Sequence, residues 1–171
     1  MQRRMQLAAR AVIVATIVRS LMFTGTAAAQ ERPVAWSGGA SKTTAPGGVV
    51  TIHLKARIDD GWHLYSITQG AGGPSRTKIG VAADQPFTLA DSVTGPKPVK
   101  RFDPNFGIDV EMYDHEATFV VPVRAAGTTS PGKYSVVVTA RYQTCGATVC
   151  LPPHTQRIPV AVTVASATPR G

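Results

Sequence analysis

Residues 133–164 read KYSVVVTARYQTCGATVCLPPHTQRIPVAVTV. The runs Lys133–Arg141 and Gln156–Val164 are rich in β-branched residues, which is typical of strands. Two adjacent prolines between these runs cannot continue a ladder of strand hydrogen bonds. The segment therefore predicts a hairpin, and Cys145 and Cys150, the only cysteines of the chain, lie at its tip or shoulder.

The hydrophobic pattern predicts short strands along the rest of the chain as well. Gly48–Ile58 alternates between apolar and polar residues, as a half-buried antiparallel strand does. Gly95–Phe106, which carries three prolines, is predicted to be a long exposed loop. No stretch keeps a helical period, so the sequence predicts an all-β, immunoglobulin-like antiparallel β-sandwich. The other strand-like runs are Val34–Trp36, Trp62–Ser66, Thr77–Ala82, Phe87–Ala90, Val110–Tyr113 and Ala117–Val123.

The first 29 residues have the features of a secretory signal peptide. A basic start precedes the apolar run Ala11–Val18, and Ala27–Ala29 is a small-residue cleavage site. Arg19 interrupts the apolar region, which argues against a membrane anchor, so we expect cleavage near Gln30 and no stable membrane insertion afterwards. The predicted organisation is a signal peptide at 1–29, a polar leader at 30–47, the domain at 48–165 and a disordered tail at 166–171.

Export changes how the charge of the chain is interpreted. The predicted signal peptide holds four of the 18 Lys and Arg residues, so the rest has fourteen basic against ten acidic residues, a net charge of +4 rather than +8. These basic residues are scattered, whereas nucleic-acid binding needs a basic stripe, and we expect no nucleic-acid partner. The predicted location is periplasmic or secreted, and soluble after signal-peptide removal, in a space that permits disulfides.

The residues alone leave three interpretations of the cysteine pair open. The first is a structural disulfide, although closing a ring of about six residues contributes only about 2 kcal/mol in the chain-entropy formula. The second is a metal site, but Cys145, Cys150 and His154 supply at most three ligands, and a closed zinc site needs four. The third is a redox-active pair, since thiol–disulfide exchange needs an exposed sulfur and a neighbour that resolves the mixed disulfide.

One motif at the cysteines resembles a known family. Tyr142-Gln143-Thr144-Cys145 followed by Cys150-Leu151-Pro152-Pro153 resembles the signature of the amino-terminal periplasmic domain of DsbD-type thiol:disulfide interchange proteins. The resemblance extends from about Trp36 to Val164 and implies an immunoglobulin-like fold. Two further matches accompany it: Gly61–Ser66 with Gly72–Pro74 in an early strand and its following loop, and Phe106-Gly107 ahead of Glu111–Tyr113 in a cap segment.

The resemblance implies roles for individual residues. Cys145 and Cys150 are the implied catalytic redox pair, and Cys150 is the one that faces the partner. Asp103–Gly107 is the implied cap loop, in which Phe106 covers the cysteines and shields them from stray oxidation. The residues implied to line the site are Tyr65, His63 and Gln143.

The implied activity is the transfer of reducing equivalents to periplasmic thiol–disulfide proteins of the thioredoxin-like or disulfide isomerase type, with no metal or organic cofactor. The transmembrane electron carrier and the thioredoxin-like domain of the full-length family protein are not found in this sequence. We therefore expect the electrons to arrive in trans from a membrane donor. The alternative is an immunoglobulin-like protein-binding module whose disulfide is purely structural.

Overall fold

The computed structural model describes residues 32–166, so the predicted signal peptide and nearly all of the predicted tail lie outside the described residues. Within residues 32–166 no helix has the length and apolar character needed to cross a membrane. The strands are β1 (Val34–Ala40), β2 (Val49–Ile58), β3 (His63–Tyr65), β4 (Lys78–Val81), β5 (Phe87–Leu89), β6 (Val99–Asp103), β7 (Ile108–Tyr113), β8 (Glu116–Ala125), β9 (Gly132–Tyr142), β10 (Thr144–Cys145) and β11 (His154–Val164).

Two antiparallel sheets pack face to face, one ordered β1-β2-β8-β5 and the other β11-β9-β4. Every second residue of β2 is buried from Val50 to Ile58, as the alternation of the sequence predicts. A slip of one residue would turn this apolar side to solvent, so the alternation fixes the register. The ring of Trp36 in the first sheet packs 5.4 Å from that of Tyr142 in the second. The predicted all-β, immunoglobulin-like sandwich is therefore confirmed.

A third sheet, ordered β10-β3-β7-β6, forms where the cysteine hairpin ends. β9 and β11 pair along their full length, which confirms the predicted hairpin. After Tyr142 the chain leaves this pairing, and β10 pairs instead with β3, where Cys145 lies opposite His63. The cysteines thus connect the sandwich to a small sheet that carries polar side chains.

The prediction of a long loop over Gly95–Phe106 is wrong for residues 99–103. Val99–Asp103 forms β6 and pairs with β7, and residues 104–107 form the turn between these strands. Four of the five residues of β6 are exposed and only the last, Asp103, is buried. The alternation that marks a half-buried strand is therefore missing from this sequence.

β1 lies within the segment predicted as a polar leader and contains the strand-like run predicted at Val34–Trp36. This strand pairs with β2 from Val34 opposite Ile58 to Ala40 opposite Ile52. Two glycines lie in this strand, and a Cβ atom at Gly38 would lie 2.6 Å from a methyl group of the other sheet. Close packing between the sheets accounts for this glycine, and the sandwich begins by residue 34.

Candidate redox site

Cys145 and Cys150 form a disulfide in the connection between β9 and β11, with their Cα atoms 4.0 Å apart. Cys145 is fully buried, whereas Cys150 is half-buried. The loop between them is tightened by the Gly146 N–H, which donates to the Val149 carbonyl at 2.8 Å. The two cysteines therefore differ in exposure, and Cys150 is the more accessible residue of the pair.

Polar side chains of β3 and β6 lie beside Cys145. The Tyr65 hydroxyl donates to Oδ2 of Asp103 at 2.5 Å. Nε2 of His63 lies 3.1 Å from that hydroxyl and 3.3 Å from the same carboxylate oxygen. His63 and Tyr65 share a face of β3 because side chains two positions apart on a strand point the same way. Ligand atoms of His63, Asp103 and Cys145 all lie within 4.8 Å of one another.

Burial and hydrogen bonding set the charge of this polar cluster. The Asp103 side chain has no exposed surface. Burial alone would raise the pKa of Asp103, but hydrogen bonds from Tyr65, Asn105 and His63 hold that pKa below its ordinary value. The pKa of Tyr65 is raised, first by burial and then by its hydrogen bond to Asp103 and the repulsion of that carboxylate. At neutral pH the cluster therefore contains a carboxylate and a protonated phenol that donates to it.

The turn at residues 104–107 packs against this cluster. The Asp103 carbonyl accepts hydrogen bonds from the N–H groups of Phe106 and Gly107, at 3.2 and 2.8 Å. Gly107 has a φ of 67°, which glycine adopts without the steric cost that other residues incur. The Phe106 ring lies edge-on to Tyr65, with centroids 6.0 Å apart, and packs against a buried group that includes Cys145. Cys150 packs against the same group.

Asn105 joins this turn to the cysteine loop. Its backbone N–H and its side-chain amide both donate to Oδ1 of Asp103, at 2.8 and 3.1 Å. The side-chain amide also donates to the Gly146 carbonyl at 3.3 Å. The Asp-Pro-Asn sequence is a recognisable turn signature, but it carries no sign of this partner 41 residues later.

The structure gathers most of the predicted site residues around the disulfide, and their chemical roles stay predictions. Gln143 makes a different contact: its side-chain oxygen accepts a hydrogen bond from the Ser75 N–H at 2.8 Å, which connects the cysteine segment to the loop between β3 and β4. Its place in the site lining stays a prediction. The predicted residues that lie around the disulfide are Tyr65, His63, Asp103 and Phe106.

The metal alternative considered from the sequence relied on His154. The structure places this residue on β11 with its ring edge-on to Tyr142, the centroids 6.0 Å apart. Among residues 32–166, the group with the spacing of metal ligands instead combines Cys145 with His63 and Asp103. A cleft of about 370 Å³ lies beside this group and is lined in part by His63, Asp103 and Trp62.

The geometry of the disulfide indicates the class of protein. The bond closes a ring too short to stabilise a fold by much, and it joins a fully buried cysteine to a half-buried one, which is the more accessible to another thiol. On a β-sandwich, such a pair defines a thiol–disulfide exchange domain. Residues 35–162 match the family model described as "Thiol:disulfide interchange protein DsbD, N-terminal", and the chain belongs to this family.

Two solved structures are similar to the chain at low identity. The Neisseria meningitidis DsbD N-terminal domain in its reduced form is 19% identical, with a TM-score of 0.49, over 77% of this chain and 86% of that one. The N-terminal periplasmic domain of ScsB from Proteus mirabilis is 22% identical, with a TM-score of 0.49, over 74% of this chain and 44% of that one. No curated protein matches the sequence.

Proposed function

We propose that the domain passes reducing equivalents to partner proteins through Cys145 and Cys150. The observation that carries the proposal is the unequal burial of the two cysteines, which gives each a distinct task. The Cys150 thiolate attacks a partner disulfide, and one partner sulfur leaves as a thiolate that takes up a proton. Cys145 then attacks the Cys150 sulfur and releases the second partner thiol. Two electrons and two protons pass from the domain to the partner, and the domain is left with its disulfide.

The polar cluster supports the second step. Cys145 is fully buried and must lose its proton before it attacks. A ring nitrogen of His63 lies within 4.8 Å of its sulfur, so the imidazole is near enough to accept that proton after a small side-chain movement. The Asp103 carboxylate, 3.3 Å from Nε2, stabilises the imidazolium that forms. In this proposal the histidine acts as a base and the carboxylate orients and stabilises it.

The turn at residues 104–107 has the proposed role of a cap. A reduced pair in an oxidising compartment is exposed to unwanted oxidation, yet its sulfur must reach the partner. Phe106 packs against the buried cluster that contains Cys145, and it does so from one short turn that ends in a glycine, a structure that opens with little rearrangement of the strands. Displacement of this ring by an arriving partner makes Cys150 reactive only in the encounter complex.

The proposed partners are periplasmic thiol–disulfide proteins of the thioredoxin-like or disulfide isomerase type, with a membrane electron donor acting in trans. Family membership supports exchange with redox proteins in general. The proposed export rests on the first 29 residues. Mass spectrometry of exported protein is expected to find a chain that begins at or near Gln30, and a chain that retains Met1–Ala29 would contradict the proposed cleavage.

An equilibrium redox titration of the chain from Gln30 onward tests whether the disulfide is exchange-active. The expected reduction potential lies above about −300 mV, since structural disulfides of secreted proteins typically lie below that value. A potential below it would favour the protein-binding module with a permanent disulfide.

Trapping experiments test the order of the two cysteines. The reduced Cys145→Ser variant keeps the accessible thiol and is expected to accumulate a mixed disulfide with a thioredoxin-like protein in its oxidised form. The matched Cys150→Ser variant keeps only the buried thiol and is expected to accumulate far less. Equal trapping by the two variants would refute the assignment of Cys150 as the attacking sulfur.

A further inference from the structure

We propose that the reduced domain binds one Zn²⁺ ion between Cys145, Cys150, His63 and Asp103. This metal site goes beyond the exchange reaction, which uses no metal. It requires only that the disulfide be reduced by a dithiol or a phosphine, so it can be tested whether or not the domain exchanges disulfides with partners.

The spacing of the histidine and the carboxylate already fits a zinc ion. In a tetrahedral site each ligand–ligand edge is about 1.63 times the bond length, so Zn–N and Zn–O bonds of about 2.0–2.1 Å require an N–O separation of about 3.3–3.4 Å. Nε2 of His63 and Oδ2 of Asp103 are 3.3 Å apart. The two ligands therefore form one edge of the tetrahedron without movement.

Reduction brings the sulfurs within reach of the other two corners. Zn–S bonds of about 2.3 Å require a sulfur–sulfur edge of about 3.8 Å and a sulfur–nitrogen edge of about 3.6 Å. The Cys145 sulfur is within 4.8 Å of both other ligand atoms, so a shift of about 1 Å is sufficient. Once the bond between the sulfurs is broken they separate, and Cys150 supplies the fourth ligand from the more exposed side.

The chemical types of the four ligands favour Zn²⁺ over harder cations. Two thiolates, one imidazole and one carboxylate are all ligands that Zn²⁺ takes in proteins, and thiolates disfavour magnesium or calcium. On binding, Cys145 and Cys150 release their two thiol protons to solvent. The neutral His63 ring binds through Nε2 and carries its remaining proton on Nδ1.

Neighbouring groups hold the carboxylate in place for the metal. Asn105 donates twice to Oδ1 of Asp103, which leaves Oδ2 for the ion. The Tyr65 hydroxyl donates to Oδ2 and keeps this bond beside the metal, as hydrogen bonds to ligating carboxylates commonly do. The Asp103 side chain is fully buried and that of His63 is only 15% exposed, so little side-chain order has to be gained on binding.

Zinc binding to the chemically reduced full chain, in competition with a chromophoric zinc chelator, tests the proposal. The expected result is one Zn²⁺ per reduced chain and none for the oxidised chain or for Cys145→Ser with Cys150→Ser. Removing the imidazole in His63→Phe is expected to weaken binding at least tenfold, since even the loss of an outer-shell partner commonly costs 10–100-fold. The control His154→Phe removes a second histidine of the cysteine segment and is expected to bind as wild type does.

Cobalt binding gives an independent readout of the ligand set. Co²⁺ added to the reduced chain is expected to show the thiolate charge-transfer band and the intense visible bands of a tetrahedral site, and Asp103→Asn is expected to reduce the visible bands. Circular dichroism of each oxidised variant checks its fold, and if Asp103→Asn fails to fold, the His63→Phe result decides. Zinc affinity unchanged in folded His63→Phe would overturn the proposal, because the thiols alone would then hold the metal. Failure of the reduced wild type to bind zinc would overturn it as well.

Discussion

Replacing Phe106 by alanine tests whether the turn at residues 104–107 protects the reduced cysteines. Truncation of a fully buried phenylalanine to alanine lowers the free energy of unfolding of a protein by about 3–5 kcal/mol. Phe106 is only half-buried, so a smaller loss is expected. Its edge-on contact with Tyr65 has the geometry of pairs worth about 0.5–1.5 kcal/mol beyond burial. The closed turn is therefore expected to lose about 1–2 kcal/mol, while the sandwich core, which Phe106 does not join, stays intact.

If the cysteines react only when the turn is open, the alkylation rate is proportional to the population of the open state. Destabilising the closed turn therefore raises this rate. A change of 1–2 kcal/mol alters a population roughly 5–30-fold, so the reduced Phe106→Ala variant is expected to react with a small alkylating reagent faster by up to that factor. Stopped-flow rates of wild type and variant at one pH measure the effect. Denaturant unfolding of both proteins checks that they are equally folded under the conditions of the assay.

Phe102→Ala is the matched control for this experiment. Phe102 lies in the same hairpin, four positions earlier, and its side chain is 60% exposed. The control is expected to leave both stability and alkylation rate near those of wild type. A folded Phe106→Ala variant that reacts no faster than Phe102→Ala would refute the cap. An unfolded Phe106→Ala variant would instead show that this ring is an ordinary core aromatic.

Three further changes test the energetics of the fold. The double variant Cys145→Ser with Cys150→Ser is expected to fold and to lose no more than about 2–3 kcal/mol in denaturant unfolding, because the disulfide closes a short ring; an unfolded double variant would indicate a structural bond. Tyr65→Phe leaves a buried carboxylate without one hydrogen-bond donor and is expected to lower the free energy of unfolding by about 1–3 kcal/mol. The control Tyr134→Phe removes a surface hydroxyl and is expected to lower it by no more than about 0.5 kcal/mol, and equal losses would contradict the importance of the Tyr65–Asp103 hydrogen bond. His115 has a φ of 59°, so His115→Gly is expected to raise stability by up to about 1 kcal/mol, and a measured loss would show that its side chain contributes more than its backbone conformation costs.

The sandwich was predictable because its strands bury one face. The alternation in β2 and the β-branched runs of β9 and β11 carry that signal directly. The third sheet was less predictable, since β10 is two residues long and β6 buries only its last residue. Short strands of this kind form because neighbouring strands offer free hydrogen-bonding edges. Those neighbours are distant in the sequence, so the local pattern of residues does not reveal the pairing.

In the candidate site too, some features could be predicted from local sequence and others could not. The cysteine pair and the turn around Phe106 were predictable from the resemblance of short motifs, which preserve local chemistry. The contact of His63 with Asp103 joins residues 40 positions apart, and no local pattern marks it. β1 extends beyond the predicted run Val34–Trp36 to Ala40 through two glycines, which the sequence alone does not mark as a strand because close packing between sheets and flexibility favour the same residue.

Asp103 links the proposed cap to the proposed reaction, because its two carboxylate oxygens serve different partners. Oδ1 accepts both hydrogen bonds from Asn105 and so holds the turn closed, whereas Oδ2 faces Tyr65 and His63 beside the buried sulfur. A partner that lifts the turn must strain or break the bonds to Oδ1. The carboxylate then loses hydrogen bonds that hold its pKa below the ordinary value, so the pKa of Asp103 rises. Opening the cap would thus help the polar cluster beside Cys145 to take up a proton at the moment when the mixed disulfide has to be resolved.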